Sequence, residues 1–180
     1  MTQRRPALFL DRDGVIVEDV AYLHRIEHSR FMPGLFQLMA DFAVRGYAVI
    51  MATNQGGIGR GLYDEAAFTR LSDWMRAEIA RGGGRLDAVY YAPTHPTEAK
   101  GRFRRESSWR KPGPGMFLQA ARDFDLDLAR SVSIGNERRD IDASRNAGIP
   151  HLFLLDPKAV AAEQREDFRV VPRLQEVPAP

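Results

Sequence analysis

Residues 7–14 read Ala-Leu-Phe-Leu-Asp-Arg-Asp-Gly, and the fold is decided by this stretch. Four apolar residues without polar alternation mark a strand buried on both faces, and such strands usually belong to a parallel sheet. Two carboxylates, Asp11 and Asp13, leave its carboxyl end, with Arg12 between them and Gly14 behind. Runs of the same kind at Tyr47–Ala52, Leu86–Tyr91, Ser131–Ile134 and His151–Leu155 predict four more strands. Between them, residues 33–45, 64–81, 114–124 and 138–147 place apolar side chains three and four apart, the spacing of helices with one buried face. Asp64 is placed to cap the second helix, Gly82 to Gly84 end it, and Gly148 with Pro150 closes the fourth. The pattern predicts an α/β doubly wound three-layer sandwich around a mainly parallel sheet of five strands or slightly more. A short helix around Ala159–Arg165, a run Phe168–Val171 and a fraying Pro/Ala end are expected in the tail.

Composition excludes several classes. The chain has 180 residues, 44% hydrophobic and 28% charged, ordinary for one globular domain and unlike disordered or collagen-like sequence. Its longest apolar runs reach four to six residues, far short of the ~20 that cross a bilayer. No apolar signal segment follows Arg4 and Arg5, so a cytoplasmic location is expected. The absence of cysteine rules out disulfides, thiolate nucleophiles and cysteine-ligated zinc. A formal charge of +2, with 23 of the 26 basic residues arginine, predicts no nucleic-acid binding. One basic run, Lys100, Arg102, Arg104, Arg105, Arg110 and Lys111, with Phe103 and Trp109 interleaved, is either a solvated loop or a surface for a phosphorylated partner. No leftover apolar helix face points to a partner, so a monomer is expected.

In an open α/β sheet, ligands bind beyond the carboxyl ends of the strands where connections diverge. Four of the five predicted strands end in polar clusters: Asp11-Arg12-Asp13, Thr53-Asn54-Gln55, the loop to Arg110-Lys111, and Gly135-Asn136 running on to Asp140. Crowded carboxylates at Asp11 and Asp13 invite a hard divalent cation with oxygen ligands, Mg2+ above all. One can attack a phosphate ester to give an aspartyl phosphate while the other does acid and base work. Alternatively the pair is a cap and a turn residue. The four glycines in residues 54–61 offer backbone amides to phosphate oxygens or are a flexible turn. Lys111 stands just before a predicted helix start, where an anion is favoured.

Asp-x-Asp-Gly-Val, Thr-Asn-Gln, Arg-Lys-Pro and Gly-Asn-x-x-x-Asp occur here in the order of the haloacid dehalogenase phosphatases, over roughly Ala7 to Leu155. The resemblance implies a single domain of that family over residues 1–180. Asp11-Arg12-Asp13-Gly14, Thr53 to Gly61 and Arg110-Lys111-Pro112-x-Pro114-Gly115-Met116 resemble its branch of heptose-bisphosphate and histidinol-phosphate phosphatases. The resemblance implies Asp11 as nucleophile and metal ligand, and Asp13 as acid/base with its carbonyl on the metal. It implies Thr53 and Lys111 as holders of the transferring phosphoryl group. Substrate contacts are expected from Arg12, Asp19, Tyr22, Asn54, Gln55, Gly56, Arg60 and Arg110, with no large cap domain over the site. Mg2+ would be held by Asp11, Asp13 and Asn136, with support from Glu137 and Asp140.

Two positions depart from the family pattern. Many members of the branch carry zinc on Cys-x-His and Cys-x-Cys pairs; here the matching positions are Ala92 and Thr94, then Ser107 and Trp109, with His95 alone remaining, so no zinc is expected. Asn136 stands where the family places an aspartate, which removes one negative charge from the metal site. The resemblance implies a Mg2+-dependent phosphomonoesterase that removes the C7 phosphate of a heptose bisphosphate in making bacterial surface sugars, or one for histidinol phosphate or another small ester. A non-catalytic sugar-phosphate binding protein is the alternative that Asn136 raises.

Overall fold

The computed structural model describes residues 4–178, so Met1 to Gln3 and the Ala179-Pro180 end of the tail lie outside the described residues. Seven strands form one sheet: β1 (Ala7–Leu10), β2 (Ala48–Asn54), β3 (Ala88–Ala92), β4 (Val132–Gly135), β5 (His151–Leu155), β6 (Glu163–Gln164) and β7 (Arg169–Val171). Their order is β3-β2-β1-β4-β5-β7-β6, parallel except for the antiparallel β6–β7 pair. The helices are α1 (Leu35–Val44), α2 (Gly56–Arg60), α3 (Glu65–Arg81), α4 (Gly115–Phe124) and α5 (Arg138–Asn146).

The side chains of β1 and β2 alternate between two cores. Leu8, Leu10, Val49 and Met51 face the layer of α1 and α3, meeting Met39, Phe42, Phe68 and Met75. Ala7, Phe9, Ala48 and Ile50 face the layer of α4 and α5, meeting Met116, Phe117, Ala120 and Ile141. A strand whose two faces are both covered has no polar position to spare, which is why these segments read as unbroken apolar runs. Asp64 caps α3 as expected, its carboxylate accepting from Ala67 N at 2.7 Å.

The tail corrects one expectation. Residues 159–165 form no helix; Glu163 and Gln164 pair with Val170 and Arg169 as a short hairpin on the sheet edge. Val160 is fully exposed, so the segment has no buried face to offset the entropy of starting a helix. Phe168 and Val170 do bury, and β7 pairs with β5. The outermost β6 then presents Glu163 and Gln164, a polar edge that discourages further strand addition.

Candidate active site

Register brings the polar clusters together. Leu10 pairs with both Met51 and Ile134, so β1, β2 and β4 deliver their following residues to one crevice, where the chain order reverses beside β1. Immediately after Asp11 the chain turns sharply, with Ile16 N and Val17 N donating to Arg12 O at 2.9 and 3.0 Å. Gly14 sits at φ +79° with the Asn136 carboxamide against it; a Cβ there would lie 2.3 Å from Asn136 Nδ2. Glycine is required on both counts, and the ends of β1 and β4 meet through that contact.

The floor of the crevice is an ion network centred on Lys111. Its buried ammonium lies 3.0 Å from Asp11 Oδ1 and 2.7 Å from Asp140 Oδ1, and donates to Ala52 O at 2.9 Å, so three oxygens surround it. The Asn54 carboxamide clamps the Lys111 backbone, donating to its carbonyl at 3.0 Å and accepting from its N–H at 2.9 Å. Burial pushes the Asp11 carboxyl up to about 6; Lys111 pulls against this, and the charges of Asp140 and Asp13 add to it. On Lys111 burial opposes charge, but Asp11 and Asp140 outweigh it and hold the ammonium above its ordinary value. Asp140 Oδ2 accepts from Asn136 N and Glu137 N at 3.1 and 2.9 Å, closing a capping box at the start of α5.

Beside this lies a second network. Arg12, 1% exposed, donates from Nε and Nη2 to the two Asp13 oxygens at 2.9 and 3.0 Å, and from Nη2 to Leu23 O at 3.0 Å. Gln55 Nε2 bridges Asp13 Oδ2 at 3.2 Å and Thr53 Oγ1 at 2.9 Å, and Tyr63 OH donates to Gln55 Oε1, which fixes the amide. Tyr63 reaches in only because residue 57 is glycine: a Cβ there would lie 2.3 Å from its ring.

Around the mouth stand Asp19, Tyr22, Arg60, Arg110, Glu137 and Arg139, lining a cleft of about 340 Å3 that Asp11, Arg12, Asp13, Asn54, Gln55, Gly56 and Asn136 also line. Arg60 donates to Tyr22 OH, lies 5.4 Å from that ring's centroid and pairs with Glu98. Tyr22 takes φ +55°, a strained backbone for a non-glycine residue, in the short flap over the cleft. Arg110 Nη1 donates to Thr94 O at 3.0 Å.

Arg12, Asn54 and Gln55 line the cleft, and through the polar atoms described above they also support Asp13, Lys111 and Thr53. Glu137 pairs with Arg139, and Asp140 with Lys111. Residues 56–60 form the short helix α2 rather than an open phosphate loop, because Gly57 serves close packing. Sequence reading missed Tyr63 and Arg139. Arg139 had a signal, since it follows Asn136 in the cluster after β4; Tyr63 had none before Gly57 was seen against it.

The Asp11 carboxylate, the Asp13 carbonyl and the Asn136 amide oxygen are oxygen donors of the kind that fit a hard ion such as Mg2+. No group of three or more His, Cys, Asp or Glu side chains able to hold a metal occurs among the described residues, so such a site would draw on amide or backbone oxygens as well. On the long loop, Ala92 and Thr94 are buried, Ser107 Oγ accepts from Trp109 N at 3.2 Å, and His95 faces Glu98. The basic run is dispersed: Lys111 goes to the floor, Arg110 to the cleft, and Arg102 to Glu65 and the Phe103 ring.

Residues 108–177 match a family model described as HAD-hydrolase-like. The D-glycero-alpha-D-manno-heptose-1,7-bisphosphate 7-phosphatase of Burkholderia mallei is 49% identical over 149 residues, 83% of this chain and 79% of the relative. The D-glycero-beta-D-manno-heptose-1,7-bisphosphate 7-phosphatase of Photorhabdus laumondii is 38% identical over 99% of this chain and 96% of its own. Among solved structures, D,D-heptose 1,7-bisphosphate phosphatase from B. bronchiseptica, complexed with magnesium and phosphate, superposes with a TM-score of 0.78 at 30% identity, covering 94% of this chain and 93% of that one.

Proposed function

Because the chain belongs to the haloacid dehalogenase-like phosphatases, in the family of the heptose-1,7-bisphosphate 7-phosphatases, we propose that it hydrolyses the C7 phosphate ester of a D-glycero-D-manno-heptose 1,7-bisphosphate. The observation that carries this reading is the buried Asp11 beside Lys111 at the reversal of chain order, a nucleophile and a cation held together where the sheet opens. One domain over residues 1–180, acting as a cytoplasmic monomer without zinc, is part of the same proposal.

In the first step the Asp11 carboxylate attacks phosphorus, the bond from phosphorus to the sugar oxygen breaks, and that oxygen takes a proton from Asp13. Water then attacks the phosphorus of the aspartyl phosphate and passes a proton to Asp13; inorganic phosphate leaves and Asp11 is restored. Lys111 and Thr53 hold the phosphoryl oxygens, the first by charge and the second by its hydroxyl. Arg12 and Gln55 keep Asp13 in place beside them. Mg2+, held by Asp11, the Asp13 carbonyl and Asn136, would neutralise charge on those oxygens. Asp140 balances Lys111, so the ammonium meets the substrate already fixed and charged.

Phosphate release from both anomers of the bisphosphate, with and without Mg2+, tests the reading. We expect Mg2+-dependent release that Asp11→Asn lowers by about four orders of magnitude or more. Retention of the wild-type rate by that variant would overturn the nucleophile assignment, and release from neither anomer would overturn the substrate.

A further inference from the structure

The Asp13 side chain lines the cleft and is 25% exposed, and among the described residues the hydrogen bonds to its carboxylate come from two side chains, Arg12 and Gln55. Each of these holders is tied to one stretch of the flap, Tyr22-Leu23-His24. Arg12 Nη2, which bonds Asp13 Oδ2, also donates to Leu23 O at 3.0 Å. Gln55 is fixed by the Tyr63 hydroxyl, and the Tyr63 ring carries His24 stacked on it, with centroids 5.2 Å apart and planes 8° from parallel. A carbonyl oxygen can only accept, so the 2.8 Å contact with Tyr22 O makes His24 Nδ1 a donor and fixes the imidazole plane. Leu23 is buried in the core on the α1 and α3 side and anchors the stretch. Both lines end at one carboxylate and neither passes through the Lys111 network, so the flap braces the acid/base group independently of the nucleophile.

We propose that His24 is a positioning residue: stacked on Tyr63, it acts through the Tyr63 hydroxyl and the Gln55 amide to hold Asp13 where the leaving oxygen can take its proton. The proposal rests on the phosphatase reading above. Tyr22, whose carbonyl orients His24, itself lines the cleft, so the flap that borders the substrate's entry also sets the group that protonates its leaving oxygen. A proton donor is effective only when aligned with its acceptor, which gives a remote brace its leverage on the rate.

The test follows kcat/KM across aryl phosphates from p-nitrophenyl to phenyl phosphate, whose leaving oxygens grow more basic and depend more on a donated proton. It uses wild type, His24→Ala, His24→Phe, Tyr63→Phe and the double variant His24→Ala/Tyr63→Phe. Loss of folded enzyme lowers every ester alike, whereas a misplaced acid lowers those with basic leaving groups most. We expect His24→Ala and Tyr63→Phe each to cut phenyl phosphate about 10-fold relative to p-nitrophenyl phosphate. On heptose 1,7-bisphosphate, an alkyl ester, each should lower kcat about 10-fold with KM within about twofold of wild type. The double variant should lose no more than either single one, since both break one line. His24→Phe, which keeps a flat ring over Tyr63, should regain part of the loss. An unchanged leaving-group dependence or an unchanged kcat on the bisphosphate in His24→Ala overturns the positioning role, as do additive losses in the double variant or no recovery in His24→Phe. Those outcomes leave the phosphatase reading standing; a wild type inert towards both the aryl esters and the bisphosphate overturns both.

Discussion

At the floor of the cleft Lys111 exposes 1% of its side chain and meets three oxygens, whereas at the mouth Arg60 and Arg139 expose 35% and 44% and pair with carboxylates half in water. Both regions use the same elementary attraction between cations and carboxylates. Burial separates them: a charge withdrawn from water must keep its partners or forfeit several kcal/mol, while one at the surface is screened and easily re-paired. The floor thus holds one fixed arrangement suited to a reaction that is the same for every phosphate ester. The mouth remains adaptable, suited to selecting which ester arrives.

Breaking the floor should have the largest effect. Lys111→Met leaves Asp11 and Asp140 buried without their common partner, and we expect a loss of about 3–5 kcal/mol in denaturant unfolding together with a rate loss of about 100- to 1,000-fold. A stability change below about 1 kcal/mol would show that the network is not held as described.

Gly57→Ala attacks the same floor from behind. The new methyl must displace Tyr63, which lets the Gln55 amide swing away from Asp13 and Thr53. We expect about 1–3 kcal/mol lost in thermal or urea unfolding, with kcat falling more than KM rises. An unaltered kcat would remove the Tyr63–Gln55 relay from the comparison.

A sharper test concerns the metal ligands between the two regions. Burial holds Asp11 protonated up to about pH 6 in the metal-free protein, above the ordinary carboxyl value of 3.8. The folded state therefore binds the extra proton, and Asp11's contribution to stability declines as pH rises from about 4 to about 6. Mg2+, which requires the ionised carboxylate, should raise the melting temperature at pH 7.5 and do little at pH 5. Asn136→Asp should tighten Mg2+ binding about tenfold by calorimetry at pH 7.5; equal affinity would show that the missing charge at Asn136 is made good elsewhere.

Breaking the mouth should have the smallest effect on the fold. Arg60→Ala removes the Glu98 pair and the Tyr22 contact, and we expect less than about 1 kcal/mol lost in unfolding. Its effect on KM should shrink as salt is raised, because the charges it removes face water. A loss matching that of Lys111→Met would erase the distinction between floor and mouth.

The two regions were also unequally legible. Asp11, Asp13, Thr53 and Lys111 could be picked from sequence because each lies at the end of a strand or ahead of a helix, and a local pattern carries that information. Asp140 was visible as an acidic residue, but its union with Lys111, 29 positions earlier, was not. Asn54 and Gln55 could be placed in the right cluster from sequence, but only side-chain direction shows the bonds by which they also hold Lys111 and Thr53. The tail misled for a related reason, since a short Ala-rich run favours a helix until the edge of β7 offers Glu163 and Gln164 pairing.

What the sequence determined by itself was the layered α/β order, the strand ends where chemistry gathers, and the residue types that meet there, because hydrophobic period and chain order are local properties. Tertiary structure alone decided which carboxylate shares Lys111, which polar side chains support the site from behind, and that Arg139 reaches the cleft while Arg138 does not. Those outcomes depend on register and burial, which fix distances between residues far apart in the chain and set how strongly each charge is felt.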